Sequence, residues 1–133
     1  SVRGAGAALL MRMRLPAAEA DFLRAIADDP SRLDAAANLA LLYENTNRLA
    51  EARAVGAAAL PFIDDGGREN DAAGVLIALS KVARRQKDGA LARAWLDRID
   101  TLDASGPHRI SAAFERGKLA DQAGDPAEAA ASP

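Results

Sequence analysis

A chain of 133 residues is long enough for one modest domain. Half of it is hydrophobic but only 4% is aromatic, so the core has to come from Ala, Leu, Ile and Val. Sparse β-branched and aromatic residues speak against a sheet, and abundant Ala, Leu, Arg and Glu suit helices. A net charge of −2 gives no electrostatic case for nucleic acid, and the absence of Cys excludes disulfides and thiolate metal sites. His108, the single histidine, cannot form a His-rich metal centre. No cofactor and no metal are expected.

In chain order, "GAGAALL" after Arg3 has the look of a short signal-peptide core, but Arg12 and Arg14 follow immediately and a helix face is the better reading. No apolar run approaches the roughly 20 residues that a membrane helix needs, so no membrane insertion is expected and a cytoplasmic location is. Helix breakers then fall at regular places: "DDPS" at 28–31, "NTN" at 45–47, "DDGGREN" at 64–70, "QKDG" at 86–89, "DASGP" at 103–107 and "AGDP" at 123–126. The segments between them are all helix-compatible. Leu33, Ala36, Ala37, Ala40, Leu41 and Tyr43 lie at spacings of three and four, which places one apolar stripe on a helix. Leu76, Leu79, Val82 and Ala83 do the same further on.

The sequence also repeats. A shift of 34 lays Leu9 on Tyr43, Leu15 on Leu49, Ala18 on Ala52, Ala25 on Ala59 and Ile26 on Leu60. The next unit is displaced by 40, with Ala52 answered by Ala92, and the last by 37, with Ala92 answered by Ala129. A helix hairpin cannot bury its apolar face alone, but stacked hairpins bury it against each other. Small residues such as Ala40, Ala52 and Ala59 are needed where such helices approach most closely.

These residues resemble the tetratricopeptide repeat, a 34-residue helix-turn-helix unit. Leu39, Ala40 and Tyr43 fill its first-helix positions, Ala52 and Ala59 its second-helix positions, and Ala18, Phe22, Ala25 and Pro30 match in the unit before. Gly56 stands where the pattern has an aromatic, a departure expected to loosen the packing. The third unit has Leu79, Ser80, Ala92 and Leu96, and Arg116 in the fourth replaces an apolar residue. The resemblance implies an all-α, right-handed superhelix of antiparallel helix hairpins, about three and a half repeats long. Its units run approximately over 1–30, 31–66, 70–103 and 107–133, the last incomplete. Phe114, Gly117, Lys118, Gly124 and Asp125 are also similar to the repeat region in front of bacterial sulfotransferase-type domains. That implies the alternative that the chain is the N-terminal region of a larger transferase, aiding substrate positioning or dimerisation.

No nucleotide-binding loop, zinc-protease motif or nucleophile elbow occurs. Ser105 and His108 in "ASGPHR" have no acid to orient the histidine, and a loop leading into a helix accounts for them. The acidic pairs Asp28–Asp29 and Asp64–Asp65 sit beside Pro or Gly and read as turn chemistry. A non-catalytic scaffold that binds a protein or peptide segment in a concave groove is therefore expected. The family's groove positions carry over to Arg3, to Asn38, Leu41 and Asn45, to Ile77, Lys81 and Arg85, and to Phe114, Lys118 and Gln122. Lys81, Arg85 and Lys118 would form a basic inner wall suited to an acidic partner. The clamp by which some family members hold chaperone tails is not expected, because Ala7, Gly74 and Ala78 stand at its donor positions. Trp95 is expected to be partly buried between units, and apolar area near Phe114 and Leu119 to invite self-association.

Overall fold

The computed structural model describes residues 16–123, and every regular element among them is a helix. Helix α1 occupies 16–28 of the described chain. It is followed by α2 (Leu33–Asn45), α3 (Leu49–Ala59), a short 3-10 turn (Leu60–Phe62), α4 (Glu69–Arg85), α5 (Gly89–Ile99) and α6 (Gly106–Ala123). The breakers from "DDPS" to "DASGP" separate the helices, although several double as starts, and "AGDP" runs outside the described residues. Gly89 and Gly106 are the first residues of α5 and α6, and Glu69 opens α4 with its side chain accepting from the Gly67 amide at 3.0 Å. Pro61 converts the end of α3 into the 3-10 turn, which delivers the buried Ile63 to the core.

Two of the turns are built alike. After α2, Asn47 adopts φ 62 while its amide donates to the Glu44 carbonyl and the Arg48 amide donates to that of Tyr43. After α4, Lys87 adopts φ 64 while its amide donates to Arg84 and that of Asp88 to Ala83. Each is a Schellman closure, a left-handed residue whose neighbouring amides satisfy the last helical carbonyls. Asn tolerates that conformation better than Lys does. The three-residue turns send α3 back along α2 and α5 back along α4, making two hairpins.

Side-chain hydrogen bonds fix how the hairpins sit. Arg68, just before α4, donates to the Ser31 carbonyl just before α2, and Arg85 at the end of α4 reaches Glu44 and Asn47 at the end of α2. Start meets start and end meets end, so α2 and α4 run parallel. Likewise Asn70 accepts from the Ser105 amide, and Arg84 meets Glu115 and Gln122, so α6 runs parallel to α4. These bridges join residues 31 to 41 apart, the spacing at which the sequence repeats.

Helix α4 lies against α2, α3, α5 and α6. Its Ala72, Ala73, Val75, Leu76, Leu79 and Ala83 are buried with Leu33, Ala36, Ala37, Ala59, Leu96 and Ile99, while Leu39, Tyr43, Ala52 and Val82 form a second cluster that takes Phe22 and Ile26 from α1. Each fully buried leucine contributes about 1.5–3 kcal/mol relative to exposure. Ala40, Ala52 and Ala59 are buried, as their spacing requires, and Trp95 is half-buried against the core. Arg116 avoids burial by bonding Asp97 of α5 and Asp100 just after it.

Gly56 does not loosen the packing. It is buried, and a Cβ there would stand 2.5 Å from Leu79 Cδ2, so α3 and α4 touch through its bare backbone. The missing aromatic is replaced by Leu79 reaching across. Gly56→Ala is expected to cost about 1–3 kcal/mol as overpacking, against the ~1 kcal/mol that the same change gains in an open helix. Gly117→Ala, on α6 with nothing near its Cβ position, is expected to show that gain alone. Opposite shifts of the denaturation midpoint check the pair.

Tyr43 ties three helices together. The Arg48 guanidinium lies 4.3 Å above its ring and pairs with Glu19 of α1 at 2.7 Å and Glu51 of α3 at 2.6 Å. Burial, then the hydrogen bond and charge of Glu19, push the Tyr43 hydroxyl up to about 12 from 10.0. The fold favours its neutral form, so this contribution is complete below pH 10 and is lost as pH rises through about 12. Tyr43→Phe is expected to flatten the stability loss over that interval in urea titrations at stepped pH.

Candidate functional site

The two arginines that end α4 go to opposite neighbours. Successive helical residues are about 100° apart, so with α2 on one side and α6 on the other, Arg85 turns to α2 and Arg84 to α6. Arg85 donates to the Glu44 carbonyl at 2.6 Å, to the Glu44 carboxylate at 3.2 Å and to Asn47 Oδ1 at 2.8 Å. It closes the C-terminal end of α2 and is not part of a groove wall, which corrects its assignment from sequence. The planar guanidinium explains the choice, since one fork serves a carbonyl, a carboxylate and an amide together.

On α6 the stripe Ala112, Glu115 and Leu119 faces inward. Glu115 is 2% exposed, and a buried carboxylate must be paired. Arg84 Nε lies 3.2 Å from its Oε2, while Lys118 Nζ and Lys81 Nζ lie 3.3 and 3.9 Å from its Oε1. Three cations from two helices therefore converge on one carboxylate. Of the three residues of the expected basic wall, Lys81 and Lys118 lie on either side of this buried acid, and Arg85 does not.

Above this cluster a groove of about 390 Å3 crosses the three parallel helices. Leu41 of α2 forms one side, Gly74, Ile77 and Lys81 of α4 the floor, and His108, Ile110, Ser111, Phe114, Glu115 and Lys118 of α6 the other side. The floor is deepened because α2 and α4 approach closely at Gly74, where a Cβ would meet Ala37 at 3.2 Å. Phe114 is 65% and Ile110 71% exposed, and Lys118 Nζ lies 4.6 Å from the Phe114 ring centre. Large apolar side chains this open are uncommon on a finished surface when they cluster.

Of the sequence-derived groove residues, the structure brings Leu41, Ile77, Lys81, Phe114 and Lys118 together. Asn38 and Asn45 are exposed on α2 outside the groove, Gln122 bonds the Arg84 carbonyl, and Arg3 lies outside the described residues. Gly117 is exposed on α6, and Gly124 and Asp125 lie outside the described residues. Leu119, expected to be exposed apolar surface, is buried at 5%, and Ile110 takes its place outside. Glu115, Arg84, Ile110 and His108 were missed. The 112–115–119 spacing is the signal that would have marked Glu115 as facing inward.

Ser105 Oγ lies 3.2 Å from His108 Nδ1, and among the described residues no carboxylate bonds that ring. Ser105 instead sits immediately before α6, its carbonyl accepting from the His108 and Arg109 amides. Asp29 accepts from both Ser31 donors, and Asp64 and Asp65 pair with Arg98 and Arg68, so the acidic pairs shape turns. Among the described residues no three metal-ligating side chains are grouped, and no helix is long and apolar enough to cross a membrane. Comparison with family models, with curated proteins and with solved structures gives no match.

Arg85→Ala is expected to lower stability by about 1–3 kcal/mol by stripping these charge-assisted bonds, without changing what the groove binds. Arg85→Lys is expected to recover little, because one ammonium cannot span the three acceptors. Thermal denaturation of both variants checks this.

Proposed function

We propose that the chain is a non-catalytic interaction module, a tetratricopeptide-like array of helix hairpins that binds a protein or peptide segment in the groove over α2, α4 and α6. The observation that carries this reading is the groove itself. The parallel helices α2, α4 and α6 present Leu41, Ile77, Ile110 and Phe114 to one 390 Å3 space bordered by two ammonium groups. Its volume fits one or two large side chains of a ligand, which suits a segment laid across the three helices. Partly open apolar anchors beside fixed charges are the composition of a recognition surface, with the anchors supplying affinity and the charges orientation. The repeat in sequence, the paired Schellman turns and the parallel first helices support the tetratricopeptide-like description.

Selection of random displayed peptides on the purified chain tests the reading. Enriched peptides are expected to lose at least about tenfold in affinity, ~1.4 kcal/mol, when Ile110 and Phe114 are both changed to Ala. Both side chains are exposed, so the double variant keeps its fold. Equal binding to parent and variant would place recognition elsewhere on the surface.

A further inference from the structure

We infer that the groove selects a segment in which a large apolar side chain is accompanied by one carboxylate side chain, and that Glu115 is a built-in counter-charge that limits affinity for it. The inference rests on the groove being the binding site. The charges lining it are Lys81, Lys118 and Glu115, and Arg84 pairs with the same carboxylate from outside the lining, so the cluster sets three cations against one acid and is positive. Both ammonium groups lean on the same oxygen, Glu115 Oε1, at 3.9 and 3.3 Å, while Oε2 is held from the other side by Arg84. Glu115 is buried, whereas the Lys81 and Lys118 side chains are 30% and 38% exposed. The acid is thus fixed underneath, and the lysines retain unused N–H donors toward the groove, since each ammonium has three.

An incoming carboxylate beside Phe114 and Ile77 would take the free donors of the two lysines, so that two acids meet the three cations Lys81, Lys118 and Arg84. A dianionic phosphate would bring a second negative charge close to Glu115, which opposes it. An amide would leave the surplus positive charge unbalanced. The Phe114 ring, 4.6 Å from Lys118 Nζ, adds a cation–π contact that steadies this lysine at the apolar edge. Because Glu115 already draws on both lysines, it competes with the ligand for them, and removing its charge should free them.

The test uses synthetic peptides with a central Phe or Leu flanked by Glu, Gln, Lys or phosphoserine, with amidated and free C-termini, read by fluorescence anisotropy at low and moderate salt. Glu peptides are expected to bind at least tenfold tighter than Gln peptides, and K81Q/K118Q to erase that difference. E115Q, near-isosteric and able to accept from the same lysines, is expected to tighten Glu peptides several-fold and to steepen their salt dependence. Circular dichroism establishes that E115Q is folded; if it is not, the lysine pair, on partly exposed side chains, decides the question. Equal binding of Glu and Gln peptides with retained sensitivity to Phe114→Ala overturns the charge inference and leaves the groove standing. Preference for phosphoserine or for a free C-terminus overturns the choice of a carboxylate side chain, and a folded E115Q with unchanged or weaker Glu binding overturns the role of Glu115. Binding by none of the peptides, or binding indifferent to Phe114→Ala, overturns the groove reading with it.

Discussion

Everything in this molecule depends on how closely other helices can approach α4. Ala72, Ala73, Ala78 and Ala83 are almost completely buried along it, and Gly74 meets Ala37 while Leu79 fills the gap at Gly56. Helices carrying larger residues at these places would stand further apart, and one rod could not be shared among four partners. With almost no aromatic volume to spend, the chain gains its cohesion from proximity, through many short dispersion contacts. The parallel alignment of α2, α4 and α6 follows, because each is held to α4 at both ends. Among the described residues nothing covers these three parallel helices on that side, and the groove is the result.

Much of this was legible in the sequence, for identifiable reasons. Periodicity marks the stripe from Leu33 to Tyr43 because burial and helical pitch act on the same residues. The breakers mark the turns because Pro, Gly and Asn alter local backbone geometry whatever surrounds them. Gly56 was misread because its use lies in a partner 23 positions away, Leu79, which no local pattern reveals. The site was half legible for the same reason. Leu41, Ile77 and Phe114 were found through their register in the repeat, and Lys81 and Lys118 through theirs. Arg84 and Arg85 are adjacent and chemically identical, and only the positions of α2 and α6 decide which one closes a helix and which one meets a buried acid.

Glu115 shows what electrostatics adds to packing. A carboxylate on the inward stripe of α6 would be costly alone, and its three cationic neighbours pair it and hold it in place. The arrangement is a weak source of stability, because desolvation offsets much of the attraction. Its effect is positional: it holds two lysines that would otherwise range freely at the border between the apolar groove and water. The same polar cluster therefore joins α4 to α6 and gives the groove its sign.

The hydrogen bonds that align α2, α4 and α6 span only 31 to 41 residues, and this limit bears on how the chain assembles. No bridge of that kind requires one end of the described chain to find the other, so the entropy of closing long loops is avoided. Topology of this sort favours rapid folding, with each hairpin templating the next as synthesis proceeds. Under a mechanical pull on its ends, such a molecule would yield hairpin by hairpin, with α4, held on four sides, the last helix to give way.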